Sequence, residues 1–246
     1  MERQEYAKLD AVEDEMWWFR GLHTNLVTAF RRAAGTGLPQ GAILDAGCGT
    51  GGLLARLARE LQGSMILGLD AAPDACAAAR AKSRRPICAG SANDLPCRDG
   101  ALAALFSADV LCHRNVDEAR ALGEFHRCLA PGGILVLNLP AYPWLLSAHD
   151  RAVHNVRRFT RRQLIGMLQA AGFARIRASY WNTVLFPLMV LRRTVLGAAG
   201  GGSDVMRFPP PFEQLFRGIM RLENGLLRCG LRLPFGGSIL ASAVKP

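Results

Sequence analysis

Apolar and polar positions follow two periods along this chain, and they take turns. Residues 42–46 (AILDA) are a short apolar run with the length of a buried strand. A glycine loop follows and opens onto LLARLARELQ, where Leu53, Leu54, Leu57, Ala58 and Leu61 recur at helical spacing. MILGLD (65–70) reads as a second strand ending in an acid, APDACAAARAKS as a helix, and PICAGSANDLP as a third strand running into a turn. ALAALFSADVL is a fourth strand and EARALGEFHRCL a helix; APGG is a turn and ILVLNLP (134–140) a fifth strand. Strands alternating with helices at this rhythm predict βαβ units, hence an α/β fold with a parallel sheet covered on both faces. Further on, RRFTRRQLIGMLQAAGF predicts a helix capped by Thr160 and ended by Gly172, and ARIRASYW and SILASAV predict two more strands. The intervening stretch holds PPP (209–211) and the helical run FEQLFRGIMRLENGLLRCGL, too long for a hairpin loop. The division expected is a helical cap over 1–40, a core of 41–181 and 235–246, and a helical lid insert over 182–234.

Composition narrows the classes. At 246 residues, half of them apolar and one fifth charged, the chain can bury a sizeable core as one domain, which excludes disorder as its main description. The charged start MERQEYAKLDAVEDE has no apolar signal region, and the apolar run Val184–Leu191 is far shorter than the roughly 20 residues a helical membrane span needs, so a cytoplasmic address is expected. Seven cysteines form no C-x-x-C pair, and reduced, mostly buried thiols are expected. The net charge of +10 is lopsided: beyond residue 150, fifteen arginines and lysines face only Asp204, Glu213 and Glu223. A basic C-terminal part suggests an anionic ligand or an anionic lipid surface. No nucleic-acid partner is expected, because no zinc finger, RNP-type aromatic motif or Lys-rich run is present.

The loop in ILDAGCGTGG (43–52) fits two cofactor fingerprints. Gly47, Gly49 and Gly52 satisfy G-x-G-x-x-G, with Asp70 placed where an acid grips a ribose hydroxyl in a dinucleotide fold. Asp45, Gly47, Gly49 and Gly51 equally satisfy D-x-G-x-G-x-G. Both patterns use missing side chains to let backbone bend sharply and approach a ligand. The Tyr-x-x-x-Lys pair of a short-chain dehydrogenase is absent: the residues four beyond Tyr6, Tyr142 and Tyr180 are Asp10, Leu146 and Val184.

The D-x-G-x-G-x-G motif, together with AGSANDLPCRDGALAALFSADVLCH and EFHRCLAPGGILVLNLP, resembles class I S-adenosylmethionine-dependent methyltransferases across residues 42–139. EMWWFRG, RRFTRRQL and LPFGGSILASAVK are similar to a bacterial subgroup with a methyltransferase type 11-like domain and a Trp-Trp-Phe-x-x-Arg opening. Gly21 and Leu22 follow Arg20 here, so that pattern's later arginine is missing. The resemblance implies a Rossmann-like, doubly wound, seven-stranded sheet, mostly parallel with an antiparallel last strand, and S-adenosyl-L-methionine as cofactor.

It also implies that Gly47, Cys48 and Gly49 lie under the methionine part, that Asp70 accepts from both ribose hydroxyls, and that Ala71 flanks the adenine. Asn93 and the backbone of Ala92 would meet the adenine, with Ser91 standing where many relatives have Asp. Ser107 would offer its carbonyl to the methionine amine. Asp45 either orients the loop or reaches the cofactor ammonium. In the WWFR helix the aromatics pack as core or close over the cofactor, with Arg20 near its carboxylate. Methyl transfer from a sulfonium is an in-line displacement that needs a base only when the acceptor arrives protonated. Candidate bases are His149, His154 and His113, each equally readable as a structural hydrogen-bonder. The segment after the fifth strand would border the acceptor with Trp144, Asp150, Arg157 and Arg158, the arginines serving either as a solvated face or as anion-binding forks. No metal is required. The expected activity is methyl transfer to a small or amphiphilic acceptor, O-methylation ahead of C-methylation, with peripheral contact to anionic membrane as a further partner. A non-catalytic cofactor-fold binding protein and an NAD-linked oxidoreductase are the rival readings.

Overall fold

The computed structural model describes residues 3–35, 37–193 and 208–246. Its centre is a seven-stranded sheet in the order β3-β2-β1-β4-β5-β7-β6. The strands are β1 (Ala42–Ala46), β2 (Ile66–Asp70), β3 (Ile87–Ala89), β4 (Leu102–Ala108), β5 (Leu129–Pro140), β6 (Ala174–Trp181) and β7 (Ser238–Val244). The first five pair in parallel, while β7 runs antiparallel to both β5 and β6. This is the mostly parallel sheet with a reversed last strand that the sequence predicts.

The period-2 pattern explains how the sheet holds two cores. Along β1, Ile43 faces one cluster and Leu44 the other; along β4 the same split falls at Phe106 and Leu105. The first face is covered by α2 (Trp17–Ala34), α3 (Gly52–Glu60), α4 (Pro73–Ser83) and α9 (Pro210–Arg228), whose Leu26, Phe30, Leu54, Leu57, Ala79 and Met220 join its core. Phe30 of α2 meets Phe106 of β4 with ring centroids 5.3 Å apart, both fully buried. Burying each such ring contributes about 1.5–3 kcal/mol. The second face is covered by α5 (Glu118–Cys128) and α7 (Arg161–Ala170) through Leu122, Phe125, Leu164 and Leu168.

Two local readings differ from the sequence expectation. APGG is not a turn ahead of β5: the strand starts at Leu129 straight out of α5 and kinks within itself, with Gly132 at φ 78°. A side chain on Gly133 would begin 2.7 Å from the Ala130 carbonyl, which is why the kink needs glycine. The charged N-terminus also forms a helix of its own, α1 (Arg3–Val12), ahead of α2. Thr160 caps α7 with a reciprocal Thr160–Gln163 capping box, as its position predicts. In the 182–234 stretch, α8 (Phe186–Leu191) follows β6, and α9 lies along α2 with Phe216, Met220 and Leu227 buried. No helix among the described residues is long and apolar enough to cross a membrane.

Candidate active site

The strand order reverses between β1 and β4, and such a reversal opens a crevice at the carboxyl ends of the strands. Here the crevice is a cavity of 870 Å³ with two chemically different halves.

The first half is built by the loop after β1. Gly47, Gly49 and Gly51 take φ of 84°, 53° and 92°, the left-handed region that side-chain-bearing residues rarely adopt. Gly47 could not be replaced even by alanine without movement, since a Cβ there would sit 2.1 Å from Val110 Cγ2. The Gly47 and Cys48 N–H groups both donate to the Leu69 carbonyl, at 2.7 and 2.9 Å, tying the loop to β2. At the end of β2, Asp70 Oδ2 accepts from the Gly49 N–H (2.9 Å), and Oδ1 accepts from the Ala72 N–H (2.9 Å) and the Tyr6 hydroxyl (3.2 Å). An O–H donor thus reaches this carboxylate from the cavity side, the contact a ribose hydroxyl would make. Asp45, at the end of β1, is 1% exposed, and its Oδ2 has no hydrogen-bond partner. Burial, then the nearby Asp70 and Glu13 carboxylates, push its pKa up to about 8. A buried carboxylate oxygen without a donor, opening on a ligand-sized cavity, suits a cationic group such as the cofactor ammonium.

Helix α1 roofs this half. Its Tyr6 and Leu9, with Glu13 just beyond it, line the cavity. Glu13 accepts from Thr50 Oγ1 (2.6 Å) and pairs with Lys82 of α4, which also pairs with Asp10 (2.7 Å) and Asp14 (3.4 Å).

The second half begins at Asp109, directly after β4. Its backbone is left-handed (φ 56°), and its N–H donates to the Asn138 carbonyl at 2.8 Å. The Asn138 Nδ2 donates to Asp109 Oδ1 at 3.0 Å, and Trp181 Nε1 donates to Asn138 Oδ1 at 2.7 Å. An indole N–H can only donate, so it fixes which end of the amide faces Asp109. Burial raises the Asp109 pKa to about 7. Deeper in the wall, Asp150 is fully buried and held by Arg158 through contacts of 2.8 and 3.0 Å to its two oxygens; Ser147 adds two more hydrogen bonds of 2.8 Å. Arg114, Arg192 and Arg193 line this half together with Leu185, Leu188, Met189, Phe208 and Phe216.

Of the residues singled out from sequence, the cavity brings together Asp45, Gly47, Cys48, Gly49, Asp70, Ala71, Ser91, Ala92, His113, Asp150, His154 and Arg158. Burial holds the His113 pKa below its ordinary value, which keeps its imidazole neutral at pH 7. Arg20 instead lines a second, smaller cavity beside Arg56 and Arg59. Trp18 and Phe19 turn to the main cavity, and Trp18 stacks on Trp181 at 5.7 Å. Ser107 is buried at the end of β4, its hydroxyl without a partner. Asn93 binds the Asn115 carbonyl and the Asp117 N–H, joining two loops. Arg157 donates to the Leu111, Val116 and His113 carbonyls and pairs with Glu118, and Trp144 is exposed against Phe186. The His149 side chain lies outside the described residues. Tyr6, Glu13, Asp109 and Asn138 were not found from sequence. For Asp109 a signal exists: β1 and β2 also bring an acid to their carboxyl ends, and FSAD repeats that pattern.

Residues 44–137 match the family model described as a methyltransferase domain. The demethylmenaquinone methyltransferase of Thermus thermophilus is 39% identical over 108 residues, 41% of this chain and 48% of that protein. A 23S rRNA (guanine(748)-N(1))-methyltransferase of Streptomyces fradiae is 37% identical over 131 residues, 52% of this chain and 44% of that protein. The chain thus spans about half the length of these curated relatives. Geranyl diphosphate C-methyltransferase of Streptomyces coelicolor, solved with S-adenosyl-L-homocysteine, superposes with a TM-score of 0.60 at 16% identity over 89% of this chain and 78% of its own. Residues 44–137 thus match a methyltransferase domain, and the sheet built around them has the fold of a solved methyltransferase.

Proposed function

We propose that this protein transfers the methyl group of S-adenosylmethionine to a small, amphiphilic, anionic acceptor, with O-methylation favoured over C-methylation. The observation that carries the reading is the single cavity whose Asp45–Asp70 end suits the cofactor and whose other end is apolar and arginine-rimmed. When bound, S-adenosylmethionine supplies an electrophilic methyl on a sulfonium. The chain's own part is to hold and to dry. Asp70 grips the ribose diol, Asp45 the ammonium, and Gly47, Cys48 and Gly49 form the floor. Ser91 and Ala92 border the adenine, and Ser107 braces the strand end. Asp109 accepts the acceptor's hydroxyl proton as the O–CH3 bond forms and the C–S bond breaks. Its titration near neutrality suits that step better than His113, whose pKa is lowered, and its Asn138 partner holds the carboxylate in place. Residues of α8 close the acceptor end as a lid, and Arg114, Arg192 and Arg193 recognise the acceptor's anionic group. The apolar rim and the basic C-terminal part also suit peripheral contact with anionic membrane.

The test is calorimetry with S-adenosylhomocysteine and NADH, followed by transfer from methyl-tritiated S-adenosylmethionine into fractionated bacterial lipids, metabolites and RNA. Micromolar binding of S-adenosylhomocysteine, about −8 kcal/mol, with label in anionic lipid-like material is expected. Label in RNA would overturn the acceptor class, NADH binding would overturn the cofactor, and binding without transfer to any fraction would favour a non-catalytic role.

A further inference from the structure

The cofactor half of the cavity is already capped from within. Asp70 offers two oxygens, and three donors use them: the Gly49 N–H on Oδ2, and the Ala72 N–H and Tyr6 hydroxyl on Oδ1. The two N–H groups belong to backbone fixed by the glycine loop and the start of α4. Tyr6 belongs to α1, which is joined to the core by side chains. A vicinal diol would bring two further O–H donors to the same carboxylate, so one present donor must yield, and the tyrosine is the one on a separable element. We propose that Tyr6 is a gate on the cofactor site: its hydroxyl occupies the position on Asp70 that a ribose hydroxyl takes, and α1 must release that bond for the nucleoside to enter. This inference rests on the cofactor reading above.

Three further observations support it. Leu9, one turn on, lies over the loop, its Cδ2 3.6 Å from where a Cβ on Gly49 would stand. Asp10 lies one turn on from Tyr6 along α1 and pairs with Lys82, which also takes Glu13 and Asp14 in the turn just beyond the helix, so one lysine of α4 ties down both α1 and its exit. Glu13 additionally binds Thr50 inside the glycine loop, which couples the position of α1 to the loop that would hold the cofactor. Burial and the adjacent Asp70 raise the Tyr6 pKa, so the phenol stays a donor throughout the neutral range.

S-adenosylhomocysteine is titrated into wild type, Tyr6→Phe, Lys82→Met and Asp70→Asn by calorimetry, with association rates from stopped-flow tryptophan fluorescence. Tyr6→Phe should bind roughly three- to tenfold tighter, the range one net hydrogen bond spans, with the gain in the association rate. Lys82→Met, which loosens α1 without touching Asp70, should also speed association and remove most of its dependence on salt. Asp70→Asn should fail to bind. Unchanged or weaker binding by Tyr6→Phe, with wild-type binding intact, overturns the gate and leaves the cofactor reading standing. Failure of both wild type and Tyr6→Phe to bind overturns both.

Discussion

The two halves of the cavity are made in different ways. The cofactor half is mostly backbone: a loop of left-handed glycines, N–H groups turned onto Leu69 and Asp70, and two carboxylates at neighbouring strand ends. The acceptor half is mostly side chains drawn from distant stretches: Asp109 after β4, Asn138 on β5, Trp181 on β6 and the buried Asp150–Arg158 pair. A backbone cradle recognises what its covalent geometry allows and tolerates little change. A side-chain wall can be repainted while the fold persists, so relatives with a common cofactor can act on different acceptors.

If that contrast is right, damage to each half should read out differently. The largest effect is expected for Asp70→Ala, which removes both acceptors for the ribose diol. S-adenosylhomocysteine affinity should fall at least about hundredfold, two charge-assisted hydrogen bonds at roughly 1.5–3 kcal/mol each, measured by calorimetry. Next comes Arg158→Ala. The fully buried Asp150 carboxylate would lose its close guanidinium and keep only the longer pairing with Arg193 (3.7 Å) and the Ser147 hydrogen bonds, at a cost of about 3 kcal/mol in urea unfolding, while S-adenosylhomocysteine binding should hardly change. Equal losses of stability and cofactor affinity in that variant would dissolve the distinction between the halves.

The smallest and most diagnostic effect concerns Asp45→Asn. In the unliganded protein the Asp45 pKa is raised from an ordinary value of 3.8 to about 8. A raised acid contributes stability that is complete below pH 4 and is lost as pH rises through 8. The wild-type protein should therefore weaken over that interval by an amount on the order of a few kcal/mol, and Asp45→Asn should flatten the slope. Asp109, raised to about 7, adds a contribution of the same sign that the variant keeps. On the proposed role of Asp45, pairing with the cofactor ammonium would ionise it, so wild-type binding at pH 7 should release a proton, detectable as a buffer-dependent heat. Asp45→Asn should bind more weakly and lose most of that buffer dependence.

Most of the fold was legible because its signals are local. Strand runs, helical periodicity and the Thr160 capping box each lie within a few residues of sequence. The glycine loop was legible for the opposite reason, since side chains missing in a fixed pattern leave a mark of their own. What escaped notice depends on distance. A helical cap over 1–40 was expected, but not the hold of its first helix, α1, on the site, because its main tether is a cluster of acids on a lysine some seventy positions away. Arg157 looked like a ligand fork because a guanidinium reads the same in sequence whether it meets an acceptor or three carbonyls of a neighbouring loop. The poise of Asp109 comes from burial against residues in two other strands, which no spacing announces.

The place of β7 has a consequence for how the chain is made. Its seven residues, 238–244, form the penultimate strand of the sheet, bonded to β5 on one side and β6 on the other. On a ribosome, every other strand emerges before it does. Until residues 238–244 clear the exit tunnel, β5 and β6 each hold a bare row of amides and carbonyls, an open invitation to neighbouring nascent chains. Synthesis that stalls between β6 and β7 would therefore yield an association-prone intermediate, its sheet lacking one interior strand.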